Sequence, residues 1–267
     1  MRFRLRTLFV RVAVVAAVLA PIAWWCHRAA VRRNDAAQLR AAWTRIYYDF
    51  QVVRVGGRIG CIDGEAPPDN LLIRCFGTDG ACSVVGVWCP QYLDENRAVT
   101  FEFSDAEMRL LEPFKDLRWL LIDSDSVTDE GAAILTRLSE LEDVAIGGPK
   151  ITDRTVERLV RHNRKLTALG LCDASITDRS IELLVSLPNL KVLDLRCTDI
   201  TGESIQSIAK LDGLIELYLG GTPIGEGRLG ALRCLPHLEI VDATDTGVSE
   251  QDVLELTAGR PDLKVYR

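Results

Sequence analysis

The residues of this 267-residue chain best suited to bind a metal or to attack a substrate are its eight cysteines and three histidines. Their spacing argues against both kinds of chemistry. Cys75, Cys82 and Cys89 recur at intervals of seven with Cys61 nearby, yet no C-x-x-C pair is present, and structural zinc sites usually have one. No metal and no cofactor is therefore expected. The four thiols can form disulfides if the chain is exported to an oxidising compartment; otherwise they behave as small buried apolar residues. His27 flanks an apolar segment, and His162 and His237 lie near the ends of expected helices. None falls in a pattern that would align a nucleophile, a base and an orienting acid. The glycine-rich GGTPIGEG, Gly220 to Gly227, lacks the Lys-Ser/Thr that a phosphate loop requires. No catalytic residue is assigned, and the chain is not expected to be an enzyme; a site in the region before residue 98 is the weaker alternative.

Recognition is the chemistry that remains, and it depends on elements that repeat. Sliding the sequence along itself gives a register of 24 residues: LTALGLCDASITDRSIELLVSLPN from Leu166, LKVLDLRCTDITGESIQSIAKLDG from Leu190 and LIELYLGGTPIGEGRLGALRCLPH from Leu214. Related units open at Leu117, Leu141 and Leu238, and a truncated one at Leu263. Each opens with L-x-x-L-x-L or a close variant, whose period-two alternation sends the leucines inward from a short parallel strand. A further inward residue follows (Val127, Ile151, Ile176, Ile200, Ile224, Val248), and then a helix start. Thr128, Thr152, Thr177, Thr201 and Ser249 are expected to cap backbone amides, and Asp129, Asp153, Asp178 and Glu250 to face the positive end of the helix dipole. Capping also accounts for the Thr-Asp pairs, which are therefore not read as calcium ligands. Inward residues at helical spacing, such as Ile181, Leu184 and Leu187, complete the unit.

One unit is not expected to fold alone. Ordering ~24 residues costs ~1–2 kcal/mol each in backbone entropy, whereas six or seven buried apolar side chains return only ~1.5–3 kcal/mol apiece. Stability must come from stacking, which is expected to bend the chain into an arc with parallel strands on the concave face and helices on the convex face. The strand positions that point away from the interior are Glu102, Leu121, Ala145, Gly170, Asp194, Tyr218 and Asp242, with Asp123, Arg196 and Thr244 two residues further on. Glu102, Leu121, Asp123, Asp194, Arg196, Tyr218, Asp242 and Thr244 are the candidate partner-binding residues, because an aromatic and an arginine among carboxylates suit a protein interface. Cys172 and Cys197 fall on adjacent strands one position out of register, so a disulfide between them would be strained or absent. The net charge of −6 and a pI near 5.3 offer no basic face, so nucleic acid is not an expected partner. No small-molecule substrate is expected either.

Upstream the period fades. Residues 1–33 crowd seven arginines around an uncharged apolar run from Val12 to Cys26, which is read as a signal-anchor or transmembrane segment over residues 8–26 in preference to a cleaved signal peptide. A slight excess of arginine before the run places the repeat domain outside the cytoplasm. Residues 34–97 lack the register and are read as an N-terminal cap, with a helix over 35–46 and strands at YYDFQVVRV and VVGVWC. Residues 98–267 form the solenoid, and its first, abbreviated unit spans 98–116 with Phe101 and Phe103 inward.

The L-x-x-L-x-L run followed by I-T-D and a helix, as in Leu166 to Leu187, resembles the leucine-rich repeats of ribonuclease-inhibitor-like proteins. The leader RFRLRTLFV, with IYYDF and VVGV behind it, resembles bacterial, planctomycete-type membrane-anchored leucine-rich-repeat proteins. The resemblance implies an α/β leucine-rich-repeat solenoid that acts as a non-catalytic, membrane-anchored scaffold for a protein partner. Ile224 is followed by Gly225 and Glu226 instead of Thr-Asp, a departure from the pattern at which local curvature is expected to differ. A self-associating, envelope-associated structural module is the alternative.

Overall fold

A computed structural model of the protein describes residues 20, 23–24, 26–38, the strand residues between 45 and 101, and every residue from 103 to 267. Before the repeats lie β1 (Arg45–Tyr48), β2 (Val52–Val55), β3 (Arg58–Cys61), β4 (Val84–Cys89), β5 (Tyr92–Leu93) and β6 (Val99–Phe101). The repeats add β7 (Trp119–Ile122), β8 (Asp143–Ile146), β9 (Ala168–Gly170), β10 (Val192–Asp194), β11 (Glu216–Tyr218), β12 (Ile240–Asp242) and β13 (Lys264–Tyr266). Among the described residues one nine-stranded sheet runs β1-β4-β7-β8-β9-β10-β11-β12-β13. It is parallel from β4 onward, with β1 antiparallel at its edge. Each repeat strand sits directly opposite its counterpart, as in Leu169, Leu193 and Leu217, so one repeat length carries the chain once around and into register.

The leucines of the motif are the core. Leu117, Leu120, Leu193, Leu195, Leu217 and Leu219 are all fully buried, and a single apolar cluster extends from Ala36 to Leu263. Behind the sheet the turns of α-helix at Asp129–Ala132, Asp153–His162, Asp178–Leu184, Ile205–Ile208 and Glu250–Thr257 stack on one another or on intervening 3-10 turns. The fifth complete unit has only a 3-10 turn, Leu229–Cys234. Its start offers no Thr-Asp, and Gly225 and Gly227 both take φ of 75°, a left-handed conformation in which a helix does not begin.

The Thr-Asp pairs do more than cap. Thr128, Thr152 and Thr201 each accept a bond from the amide two residues on, as expected of a cap, whereas Thr177 makes no such bond. Each aspartate reaches forward into the next repeat. Asp129 accepts from the Thr152 amide at 3.0 Å and its hydroxyl at 2.6 Å; Asp153 does the same for Thr177 at 2.9 and 2.7 Å. Asp105 holds Thr128 and Asp178 holds Thr201 in the same way. The ladder stops at Gly202. There an added Cβ would lie 2.3 Å from the Ile224 carbonyl oxygen, so glycine permits the next repeat to close in, and the side-chain bridge there is instead the Arg228–Glu203 ion pair at 2.8 Å.

Two upstream expectations change. The segment 98–116 does not supply its own strand to the sheet: β6 pairs with β5 in a separate ribbon, and β4 lies beside β7, with Val87 opposite Leu120. Val87 is fully buried and takes the place of the repeat leucine, so the sheet extends upstream of residue 98. The chain rejoins the register at Phe103, 1 % exposed, and at the capping box of Ser104 and Glu107. Second, residues 26–38 are helical, whereas the helix expected over 35–46 gives way to a strand at Arg45, where Ile46 and two tyrosines favour a pleated surface. Ala29 and Ala36, two helical turns apart, are the buried face of 26–38, and Arg32 pairs with Asp116 at 3.5 Å. At the other end of the sheet β13, the strand of the truncated unit, aligns Val265 with Val241. The strands expected at YYDFQVVRV and VVGVWC are present as β1, β2 and β4. Among the described residues no helix is long and apolar enough to cross a membrane, and most of the segment 8–26 lies outside them.

Candidate functional site

The sheet presents three columns of side chains away from the core. Two were legible from the motif. Leu121, Ala145, Gly170, Asp194, Tyr218 and Asp242 stand in one row across β7 to β12, and Asp123, Arg196 and Thr244 follow two residues beyond their strands' row positions. The third column was missed: Trp119, Asp143, Ala168, Val192, Glu216 and Ile240 align across the same strands. The same alternation that turns the fifth residue of L-x-x-L-x-L away from the core turns the third the same way, so the signal for it was already in the motif. Glu102 lies outside the described residues. Of the four upstream cysteines, Cys75 and Cys82 lie outside them too, and Cys61 and Cys89 are described only as backbone at the ends of β3 and β4.

The columns enclose a groove of about 410 Å³ lined by Leu121, Asp143, Ala145, Ala168, Gly170, Val192, Asp194, Arg196 and Tyr218. Its floor is low because repeats two and three carry small residues: a Cβ added to Gly170 would lie 3.1 Å from that of Ala145. Gly147 beside it admits no side chain, since its Cβ would meet the Cys172 carbonyl oxygen at 1.9 Å. One wall is the aliphatic Leu121. The other is a polar cluster, and of the candidate residues Asp194, Arg196 and Tyr218 are the ones brought together. Arg196 donates to both oxygens of Asp194, from Nε at 2.9 Å and from the guanidinium terminus at 2.7 Å, and lies 5.8 Å from the centre of the Tyr218 ring. The Tyr218 hydroxyl donates to Glu216 at 2.7 Å. These bonds to Asp194 raise the Arg196 pKa above its usual value against the opposing effect of partial burial, and the charges of Asp194 and Asp242 add to the rise. The guanidinium is a fixed, oriented cation, stacked on an aromatic face. Asp242 and Thr244 pair with each other one strand beyond, at 2.7 Å, while Asp123 stands exposed on the far side of the groove.

The thiols beside the groove are poor nucleophiles. Burial pushes the Cys172 thiol up to about 12, helped by its hydrogen bond to Asp173 at 3.2 Å and by the charges of Asp173 and Asp194. Cys197 is raised in the same direction, again first by burial and then by Asp173. Nucleophilic attack needs the thiolate, and carboxylates disfavour it here. Both are free thiols: the Asp173 amide bonds the Arg196 carbonyl, so Cys172 faces Arg196 and not Cys197, as the register of the repeats requires. Among the described residues no group of three or more His, Cys, Asp or Glu side chains is placed to hold a metal ion.

No known family profile matches the chain. A curated protein of Candida albicans, Antagonist of mitotic exit network protein 1, is 38 % identical over 66 residues, 24 % of this chain and 10 % of that protein; the chain therefore spans about a tenth of that relative. Among solved structures, an internalin (inlF) of Listeria monocytogenes is similar with a TM-score of 0.47 at 18 % identity, over 59 % of this chain and 49 % of that one. Internalin C2 of the same organism is similar with a TM-score of 0.48 at 18 % identity, over 71 % and 81 %. The chain's own 24-residue register, its strands stacked leucine on leucine and the single interior they share make it a leucine-rich-repeat protein.

Proposed function

We propose that the protein is a non-catalytic scaffold that holds a protein partner on the strand face of its solenoid and is tethered to a membrane through residues 8–26, with the repeats outside the cytoplasm. The observation that carries the reading is the Asp194–Arg196–Tyr218 cluster at the wall of a groove with a floor of small residues. Arginine and tyrosine anchor interfaces because they bring large contact area together with hydrogen-bonding termini, and an arginine already held in place has little rotamer entropy left to lose. Here the bidentate bond to Asp194 has already fixed the arginine. Among the described residues no group of three or more His, Cys, Asp or Glu side chains is placed to hold a metal ion, and burial and neighbouring carboxylates raise the pKa of both neighbouring thiols. Affinity capture with the wild-type chain and with the triple variant Asp194→Ala, Arg196→Ala, Tyr218→Ala tests the site. The partner is expected to be retained by the first and lost from the second while the far-UV spectrum is unchanged; equal capture by both would reject the strand face. Fractionation with protease shaving of intact cells tests the tether and its orientation: recovery of the chain in the soluble fraction would reject the anchor, and protection from shaving would reject the outward placement.

A further inference from the structure

We infer that the partner segment received by this groove is basic: an extended stretch of polypeptide that lays lysine or arginine side chains along the rim and a small apolar side chain on the floor. The inference rests on the scaffold reading above and adds the chemistry of what is bound. Two independent observations support it. The first is shape: Ala145, Ala168 and Gly170 leave an apolar floor wide enough to receive a side chain, between Leu121 and Val192. The second is sign. On the strand face Asp194 and Arg196 neutralise each other at 2.9 and 2.7 Å; the other charged side chains of its columns across β8 to β13 are Asp143, Glu216 and Asp242 against Lys264 on the last strand. Cations of the central repeats gather on the opposite, helix side, at Arg154, Arg158, Arg161 and Lys165, where they pair with Glu130, Glu157 and Glu140 or with backbone. The cations of the helix side are thus balanced by the carboxylates they pair with, the strand face keeps an acidic excess, and an acidic or phosphorylated segment would meet like charge along the rim. From β8 to β12 is four strand spacings, or ~19 Å, which an extended chain crosses in about six residues.

Fluorescence anisotropy with the full chain and three synthetic peptides of equal length tests this: one lysine- and arginine-rich, one aspartate- and glutamate-rich, one neutral, each with a central valine. The basic peptide is expected to bind at least ~10-fold more tightly than the other two and to weaken steeply with added salt. Asp242→Lys is expected to weaken it at least ~10-fold, while Glu182→Lys on the helix side, the same change in net charge, leaves it within ~2-fold. Equal binding of the three peptides, or equal loss in both variants, would overturn the inference, the second by reducing it to attraction between net charges. Should Asp242→Lys fail to fold, Ala145→Trp fills the floor without altering charge, and undiminished binding to that variant would overturn the inference equally. If the triple variant loses its partner while no basic peptide binds, the scaffold reading stands and this inference falls.

Discussion

Cys197 holds a backbone conformation that side chains resist. Its φ is 55°, and the residues that occupy the same turn in neighbouring repeats are Gly148, Asp173, Gly221 and Asp245, at φ of 101, 57, 74 and 55°. The turn needs a left-handed residue because the amide there must bond to the next repeat, as those of Cys197 and Gly221 do to the Gly220 and Thr244 carbonyls. For a residue with a Cβ this conformation costs ~1–2 kcal/mol, less for asparagine or aspartate, whose short polar side chains bond locally. Cys197→Asn is therefore expected to stabilise the protein by ~0.5–1 kcal/mol, measured as a higher urea midpoint. A lower midpoint would mean that the thiol's packing against the Gly221 turn outweighs the strain.

At the scale of the element, the join between consecutive helices is a carboxylate that grips the next helix start. Burial alone would raise the pKa of Asp129 and Asp153, but the hydrogen bonds from Thr152 and Thr155 to the first, and from Ser180 and Thr177 to the second, outweigh it and hold both below the usual carboxylate value. Arg158 and Arg179 add smaller attractions in the same direction. A carboxylate whose pKa is depressed in the folded state contributes stability that is fully present above its unfolded pKa, near 3.9, and is lost as pH falls through the folded value. The urea midpoint of the wild type is expected to hold steady down to about pH 5 and to fall below about pH 4. The double variant Asp129→Asn, Asp153→Asn is expected to be less stable at pH 7 and to show a shallower acid decline. Parallel declines in the two proteins would show that the ladder does not govern acid stability.

Across the whole molecule no repeat owns its core. Leu193 is fully buried between the strands before and after it, and the cluster it belongs to runs on through every unit. A cavity there is felt by both neighbours. Leu193→Ala is expected to cost ~2–5 kcal/mol and to shift one unfolding transition to lower urea without splitting it, followed by far-UV circular dichroism. Two separated transitions would show that the solenoid divides at the fourth repeat into independently stable halves.

The sequence alone determined the repeat, its inward leucines and isoleucines and the strand face, because a strand alternates with period two and a helix with period 3.6 whatever surrounds them. For the same reason it named Asp194, Arg196 and Tyr218 as neighbours on adjacent strands. Only the tertiary structure decided that β4, rather than the phenylalanine-rich stretch after residue 98, begins the parallel sheet, since pairing at long range is selected by which apolar side chain completes the buried interior and no local spacing records that choice. It likewise decided that the aspartates bridge repeats besides standing at helix starts, and that small residues in two successive units open a groove beside the arginine. Both depend on how closely one turn of the solenoid lies against the next, a distance set by packing across the repeat and not by the residues within it.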